Sequence, residues 1–381
     1  MKRYNIAYLT SIDPRNKGAL SGSSYYILQA LASYVGKIDI LGPVNIHYRV
    51  TKLLVRIAKK IPRPYNFSHS YFFALKYARA FTRKMKGKQY DFIFAARSST
   101  EIALLKTDVP IVFYSDTTFK LFYNYYDWFS NFMKISEIEG NSIERRAINK
   151  SAIVIFSSEW AAKSAIDFYN VPPEKVHVIP FGPNVDNIPS KESTLKNKDR
   201  ETCKLLFIGV EWDRKGGEVA FDTLIALKKM GLKTTLTVIG CVPPEEFIDD
   251  DLIVIPFLNK NILAESRRFN ALFEESHFLI LPTKQECFGV VFCEASAFGL
   301  PSLTTDTGGI SGAVRNGVNG YRFEVTQGGE EYAKKAFSIF TDYDNKYIPL
   351  SISSRGLYDS ELNWSVFASA VKKLMDDYLE K

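Results

Sequence analysis

Along this chain, short apolar runs alternate with longer stretches of helical spacing. The first run is Ile6–Leu9, followed by a loop over Thr10–Gly22 rich in Gly, Asn, Pro and Ser. Ser21-Gly22-Ser23-Ser24 then opens a predicted helix, Tyr25–Tyr34, with apolar residues at Ile27, Leu28, Leu31 and Ala32. Further strands are predicted at Lys37–Leu41, Tyr90–Ala95, Val109–Tyr114 and Ala152–Ser157, with helices at Val50–Ile61, Tyr71–Lys86 and Ile135–Lys150 between them. Lys120–Lys134 is rich in aromatics and open to two readings, packed core or the lining of a binding cleft. Asp186–Glu201 is polar, holds Pro, Ser, Lys and Asn, and has no period, which predicts a linker.

After residue 201 the pattern restarts. Lys204–Gly209 reads as a strand, Val210–Gly217 as a loop and Glu218–Met230 as a helix. Strands follow at Thr234–Gly240, Leu252–Phe257, His277–Leu281 and Ser302–Thr305. The last helix, Trp364–Tyr378, has apolar residues at 367, 368, 371, 374 and 375. Two series of strand, loop and helix argue for an α/β protein of two Rossmann-like, doubly wound parallel-sheet domains. The expected boundaries are 1–185, a linker over 186–201, 202–363, and a helix over 364–381 that crosses back to the first domain.

Charge changes this picture in one place. Ile40–Tyr90 holds twelve Lys and Arg and no Asp or Glu, while the chain of 381 residues nets +7, so the remainder is acidic at −5. The predicted helix Tyr71–Lys86 interleaves aromatics with cations, as does a helix suited to an anionic membrane interface; a solvated outer face is the plainer reading. No nucleic-acid module accompanies the charge. The N-terminal apolar stretch is too short and interrupted for a signal peptide, and no window suggests a membrane span. Cys203, Cys241, Cys287 and Cys293 have no metal-ligand spacing and read as reduced thiols of a cytoplasmic protein. Asp249-Asp250-Asp251 lies in a loop without partner ligands and is not read as a metal site. His277 sits in an apolar run and reads as packed.

The candidate chemistry concentrates in Leu281–Pro301. Glu286 falls in a loop, Gly289 breaks the chain, a helix begins near Val290, Glu294 lies one turn inside it, and Gly299-Leu300-Pro301 ends it. Free amides at a helix start suit a phosphate, and carboxylates accept strong hydrogen bonds from hydroxyls. Gly289 would let the backbone approach a ligand without a Cβ in the way. Arg214 and Lys215, in a glycine-rich turn between strand and helix, suit a diphosphate. Asp116, in Ser115-Asp116-Thr117-Thr118 after a strand, is placed where α/β folds bind ligands.

The spacing Glu286-x7-Glu294 with Phe288-Gly289 inside it, then Glu294-Ala295 and Gly299-Leu300-Pro301, resembles the donor-site signature of family-4 retaining glycosyltransferases of the GT-B fold. Thr307-Gly308-Gly309 and Asn316-Gly317-x-Asn319-Gly320-Tyr321 extend the likeness, and Val176–Asn184 resembles the family at a hinge-side position. The resemblance implies two domains with a cleft between them and retention of configuration by same-face attack assisted by the leaving phosphate. It implies that the loop ending at Gly22 closes over the donor diphosphate and that the Phe257 region meets the nucleobase, although an apolar strand end is equally consistent there. Glu286, with backbone near Phe288 and Gly289, would position the sugar; the amides near Val290 would meet the phosphate and Glu294 the ribose. No metal or other cofactor is expected.

Three departures stand out. Val210 replaces an Arg that often follows the strand-end glycine, Gly312 stands near an expected Glu, and no His accompanies Asp116. Asp116 is left with three roles: touching the donor sugar in place of that His, facing the acceptor as a base, or capping the next helix. The expected function is transfer of a hexose-type sugar from a UDP- or GDP-linked donor to a glycan or lipid-linked acceptor, with peripheral membrane contact through 49–88 at the inner face of the cell membrane. A sugar-nucleotide epimerase of the same fold, or a non-catalytic two-lobed binding protein, is the alternative.

Overall fold

In the computed structural model, residues 3–18, 22–44, 46, 62–194 and 198–380 are described. The predicted helix Val50–Ile61 lies outside them. The chain separates into two units, one formed by Met1–Pro180 with Trp364–Lys381 and the other by Phe181–Asn363. Each unit holds a six-stranded parallel sheet among the described residues.

In the first unit the strands are β1 (Tyr4–Leu9), β2 (Gly36–Ile40), β3 (Phe92–Ala96), β4 (Ile111–Ser115), β5 (Ile153–Phe156) and β6 (Val176–Val178), in the order β2-β1-β3-β4-β5-β6. Strands β3, β4 and β5 are buried at every residue. Central parallel strands are covered on both faces, so they read as unbroken apolar runs rather than alternating ones. The helices are α1 (Ser23–Tyr34), α2 (Tyr71–Met85), α3 (Ser99–Ile102), α4 (Phe119–Phe122), α5 (Lys134–Lys150) and α6 (Glu159–Asp167). Helix α2 starts where Ser70 caps Phe73 and buries Phe73, Tyr77 and Phe81.

The second unit orders its strands β12-β11-β10-β7-β8-β9. They are β7 (Cys203–Ile208), β8 (Thr234–Ile239), β9 (Leu252–Ile255), β10 (Phe278–Leu281), β11 (Ser302–Thr305) and β12 (Gly320–Phe323). Its helices are α7 (Trp212–Lys215), α8 (Gly217–Lys229), α9 (Leu263–Glu275), α10 (Val290–Ala297), α11 (Gly329–Phe340) and α12 (Ile348–Ser360). Described residues of the predicted linker are tied to this unit: Asn270 donates to the Asp186 carbonyl at 2.8 Å, Arg355 to that of Pro189 at 2.7 Å, and Lys198 to that of Ser276 at 2.6 Å.

The final helix, α13 (Trp364–Leu379), belongs to the first unit. It buries Phe367, Ala368, Val371 and Met375, the face its spacing predicts. Phe367 meets Tyr114 edge-on at 5.0 Å, Trp364 stacks on Tyr26, and Tyr4 donates a hydrogen bond to Asp376. Full burial of one large apolar side chain contributes about 1.5–3 kcal/mol, so a four-residue stripe is enough to fix this helix.

Candidate functional site

The site in the second unit begins with two glycines after β7. Gly216 has φ +77°, and a Cβ there would lie 2.0 Å from the Pro282 carbonyl oxygen. Gly217 faces the Trp212 ring, which a Cβ would meet at 2.1 Å. Only glycine permits this approach, and it presses the β7–α8 turn against the loop leaving β10. The turn thereby delivers Lys215 to Glu286, Nζ to Oε2 at 2.5 Å, with the two side chains 12% and 15% exposed. The main-chain carbonyl of Glu286 accepts from the Gly309 amide at 3.1 Å. Segments far apart in sequence therefore meet at Glu286, one at its carboxylate and one at its main chain.

Arg214, predicted beside Lys215, points differently. Its guanidinium takes both Glu211 oxygens, at 2.8 and 3.1 Å, and the Gln285 carbonyl at 3.1 Å. Arg214 holds the Glu211 carboxyl below its ordinary value by hydrogen bonding. Val210, in the place of the absent Arg, is 70% exposed.

Helix α10 starts at Gly289 with no side-chain cap. Its first-turn amides, Val290 among them, are suited to an anion. Gly289 has φ +85°, and a Cβ would strike the Phe292 ring at 2.5 Å, so the missing side chain makes room for Phe292. Phe288 is buried against Phe181, ring centroids 5.2 Å apart. Glu294, one turn into the helix and buried, binds Lys260 Nζ at 3.0 Å. Lys260 also donates to the Asn184 carbonyl at 3.1 Å. Sequence reasoning missed Lys260, because an isolated cation past a strand end carries no pattern.

Other parts of the signature are structural. Asn319 is fully buried; it accepts from the Arg315 amide at 2.7 Å and donates to Ser296 of α10 at 3.0 Å and to the Ala313 carbonyl at 2.8 Å. It locks the helix that carries Glu294. Phe257 lies two residues past the end of β9 and is 69% exposed, which removes the apolar strand-end reading. Lys228 binds Asp249 and Asp251, each at 2.6 Å, and so accounts for the triple Asp. His277 is buried among Phe340, Tyr343 and Tyr347 and accepts from the Lys204 amide, and burial pushes it down to about 3. Among the described residues no cluster of His, Cys, Asp or Glu is suited to a metal, and no helix is long and apolar enough to cross a membrane.

In the first unit, Gly22 precedes α1 in a left-handed conformation with no side-chain cap. Asp116, beyond β4, is paired with Arg97 at 2.7 Å. Arg97 itself has φ +50°, a strained backbone for a non-glycine residue, at the carboxyl end of β3. Thr118, not Asp116, caps the following helix by accepting from the Leu121 amide. Capping is thereby removed from the roles open to Asp116. In Lys120–Lys134, Tyr126 and Phe129 are core, whereas Trp128 is 64% exposed.

Two family descriptions match this chain. Glycosyl transferases group 1 matches residues 202–342, and Glycosyltransferase Family 4 matches residues 41–187. The chain belongs to the group 1, family 4 glycosyltransferases. Among other members, a D-inositol 3-phosphate glycosyltransferase of Acidothermus cellulolyticus is 24% identical over 204 residues, 46% of this chain and 44% of its own length. The chain spans about half the length of the curated relatives it matches. Sucrose-phosphate synthase from Thermosynechococcus elongatus superposes with a TM-score of 0.69 at 16% identity, covering 99% of this chain and all of its own. HepE of Anabaena, solved in complex with UDP and glucose, gives 0.64 at 14%, covering 98% and 100%. These likenesses assign the GT-B fold to the family member described here.

Proposed function

We propose that this protein transfers a hexose-type sugar from a UDP- or GDP-linked donor to a glycan or lipid-linked acceptor, with retention at the anomeric carbon. The observation that carries the reading is the Lys215–Glu286 pair, held beside the uncapped start of α10. As the bond from the anomeric carbon to the donor phosphate breaks, its electron pair passes to the diphosphate. Lys215 and the first-turn amides of α10 stabilise that charge where it develops. Glu286 accepts from sugar hydroxyls and Glu294 from the ribose, sharing itself with Lys260. The acceptor hydroxyl attacks the face the phosphate leaves, and its proton passes to a leaving phosphate oxygen. Asp116, paired with Arg97, serves the donor sugar or the acceptor. HepE, a structure of the same fold, is described with UDP and glucose, which supports a UDP-linked donor.

The acceptor reading rests on surface chemistry. Helix α2 carries no Asp or Glu, and its outer face presents Phe72 and Leu75, 46% and 42% exposed, followed by exposed Arg79 and Arg83. This pattern suits an anionic membrane and a lipid-linked acceptor of the kind used in bacterial surface polysaccharide assembly, with the protein at the cytoplasmic face. Vesicles of anionic lipid should retain the protein at low salt and release the Phe72→Ser/Leu75→Ser variant; equal retention refutes this surface. For the reaction, product release is followed by NMR with UDP-glucose and GDP-mannose, with and without a cell-envelope lipid extract. Nucleotide release that needs the extract and disappears in Glu286→Ala supports transfer. Conversion of donor with no acceptor points to epimerisation, and binding without turnover to a non-catalytic protein.

A further inference from the structure

Arg214 is built into the wall of the donor site rather than aimed into it. Its Nε and Nη2 engage both oxygens of Glu211, at 2.8 and 3.1 Å. Its Nη1 donates to the Gln285 carbonyl at 3.1 Å. Its own carbonyl accepts from the Lys284 amide at 2.8 Å and from the Thr283 hydroxyl at 3.2 Å, a hydroxyl that also reaches the Gln285 carbonyl at 3.1 Å. Thr283 and Lys284 are therefore tied to the main chain at 214 and Gln285 to the guanidinium itself, and the next residue is Glu286, whose carboxylate meets Lys215. The Arg214 side chain is 18% exposed and its charge is matched at contact distance by Glu211. The Arg214 guanidinium is held at two points by a carboxylate and at a third by a carbonyl, whereas Lys215 meets Glu286 through a single contact and an ammonium carries three donors.

We infer that Arg214, aligned by Glu211, is a positioning residue that sets the 283–286 loop and through it the Glu286 carboxylate, and that Lys215 alone of the adjacent cations meets the leaving diphosphate. The inference rests on the donor-site reading above. The guanidinium, held at its other end by Glu211, straps the turn to the carbonyl one residue before Glu286, and a carboxylate must be held closely for transfer.

Two readouts test this, one independent of any ligand. Hydrogen exchange of the unliganded protein is compared among native, Arg214→Gln and Glu211→Gln chains. Both substitutions should speed exchange in the peptide spanning 283–289 by about tenfold or more, with the β10 amides unchanged. Glu211 is about half exposed, so its variant keeps the test alive should Arg214→Gln fold poorly. Calorimetric titration with UDP, GDP and ADP follows. Lys215→Met should weaken the bound nucleotide by about 30-fold or more, and Arg214→Gln by less than about threefold. In turnover of UDP-glucose or GDP-mannose, Arg214→Gln and Glu211→Gln should lower kcat by about 10- to 100-fold and leave KM within about threefold. Nucleotide binding lost as severely in Arg214→Gln as in Lys215→Met, or unchanged exchange over 283–289, overturns the inference. If the native chain binds none of the three nucleotides, the donor-site reading falls, and the exchange result alone decides whether Arg214 sets the loop.

Discussion

Gly216→Ala separates backbone strain from the close approach that assembles the site. Gly216 and Gly231 share nearly the same backbone, φ +77° and +81°, but a Cβ at Gly231 meets nothing within 4 Å, while one at Gly216 lies 2.0 Å from the Pro282 carbonyl oxygen. A left-handed conformation costs an L-residue about 1–2 kcal/mol. Gly231→Ala should therefore destabilise by about that much and no more. At Gly216 the β10–α10 loop must also retreat by more than an ångström, and overpacking of this kind costs about 1–3 kcal/mol further. The total is about 2–5 kcal/mol, and Lys215 is drawn away from Glu286. Protection of the β7 amides, read by native-state hydrogen exchange, gives the stability of the second unit directly. The two variants should differ by at least about 1 kcal/mol, and nucleotide affinity should fall only in Gly216→Ala. Equal protection and equal affinity would refute the argument that this contact holds the site together.

The remaining predictions concern buried polar groups. Asn319→Ala leaves the Ala313 carbonyl and the Ser296 hydroxyl without their donor, at about 1–3 kcal/mol for each buried group left unsatisfied, and should loosen α10 in hydrogen exchange; a change below about 1 kcal/mol contradicts it. Burial pushes the carboxyls of Glu101 and Glu144 up to about 7, so the folded first unit keeps protons that the unfolded chain releases above about 4.5. Their contribution, on the order of 3 kcal/mol each, is complete below pH 4.5 and lost as pH rises through 7. His277 behaves oppositely: it is neutral when folded, so the second unit loses stability as pH falls from 6.5 towards 3. As pH rises from 5 to 6.5 exchange protection, corrected for intrinsic rates, should fall in the first unit, where His69, pushed down by burial to about 4, offsets one of the two carboxyls, and rise in the second; movement of both in one direction refutes these assignments. Asp116→Asn removes the ion pair with Arg97 and should lower turnover while nucleotide affinity stays within about threefold; unchanged turnover removes Asp116 from the site.

The strands were legible because central parallel strands are apolar throughout, as Phe92–Ala96 and Ile153–Phe156 show. The loops at their carboxyl ends were legible because Gly216 and Gly289 need left-handed backbone that glycine tolerates. That Lys215 and Glu286 belong to one donor site was implied by the resemblance, but their ion pair was not. Nor were the Lys260–Glu294 and Arg97–Asp116 pairs, since each joins segments that only the tertiary fold brings together. Strand β12 was read only as part of an Asn-Gly motif: four residues opening on a glycine offer no period. Phe257 misled in the other direction, because an aromatic after Leu252–Ile255 extends the apolar run on paper, whereas the strand stops two residues earlier.

The central claim is that Lys215 and Glu286 form a nucleotide-sugar donor site. Its most direct test is thermal unfolding of the native and Lys215→Ala chains against UDP, GDP, ADP and their common sugar conjugates. A ligand at 100 times its Kd adds about 2.7 kcal/mol of stability, a readily measured shift. The account predicts that one nucleotide and its sugar conjugate stabilise the native chain and that the shift disappears in Lys215→Ala. Stabilisation that survives the substitution, or none with any of these ligands, would contradict it.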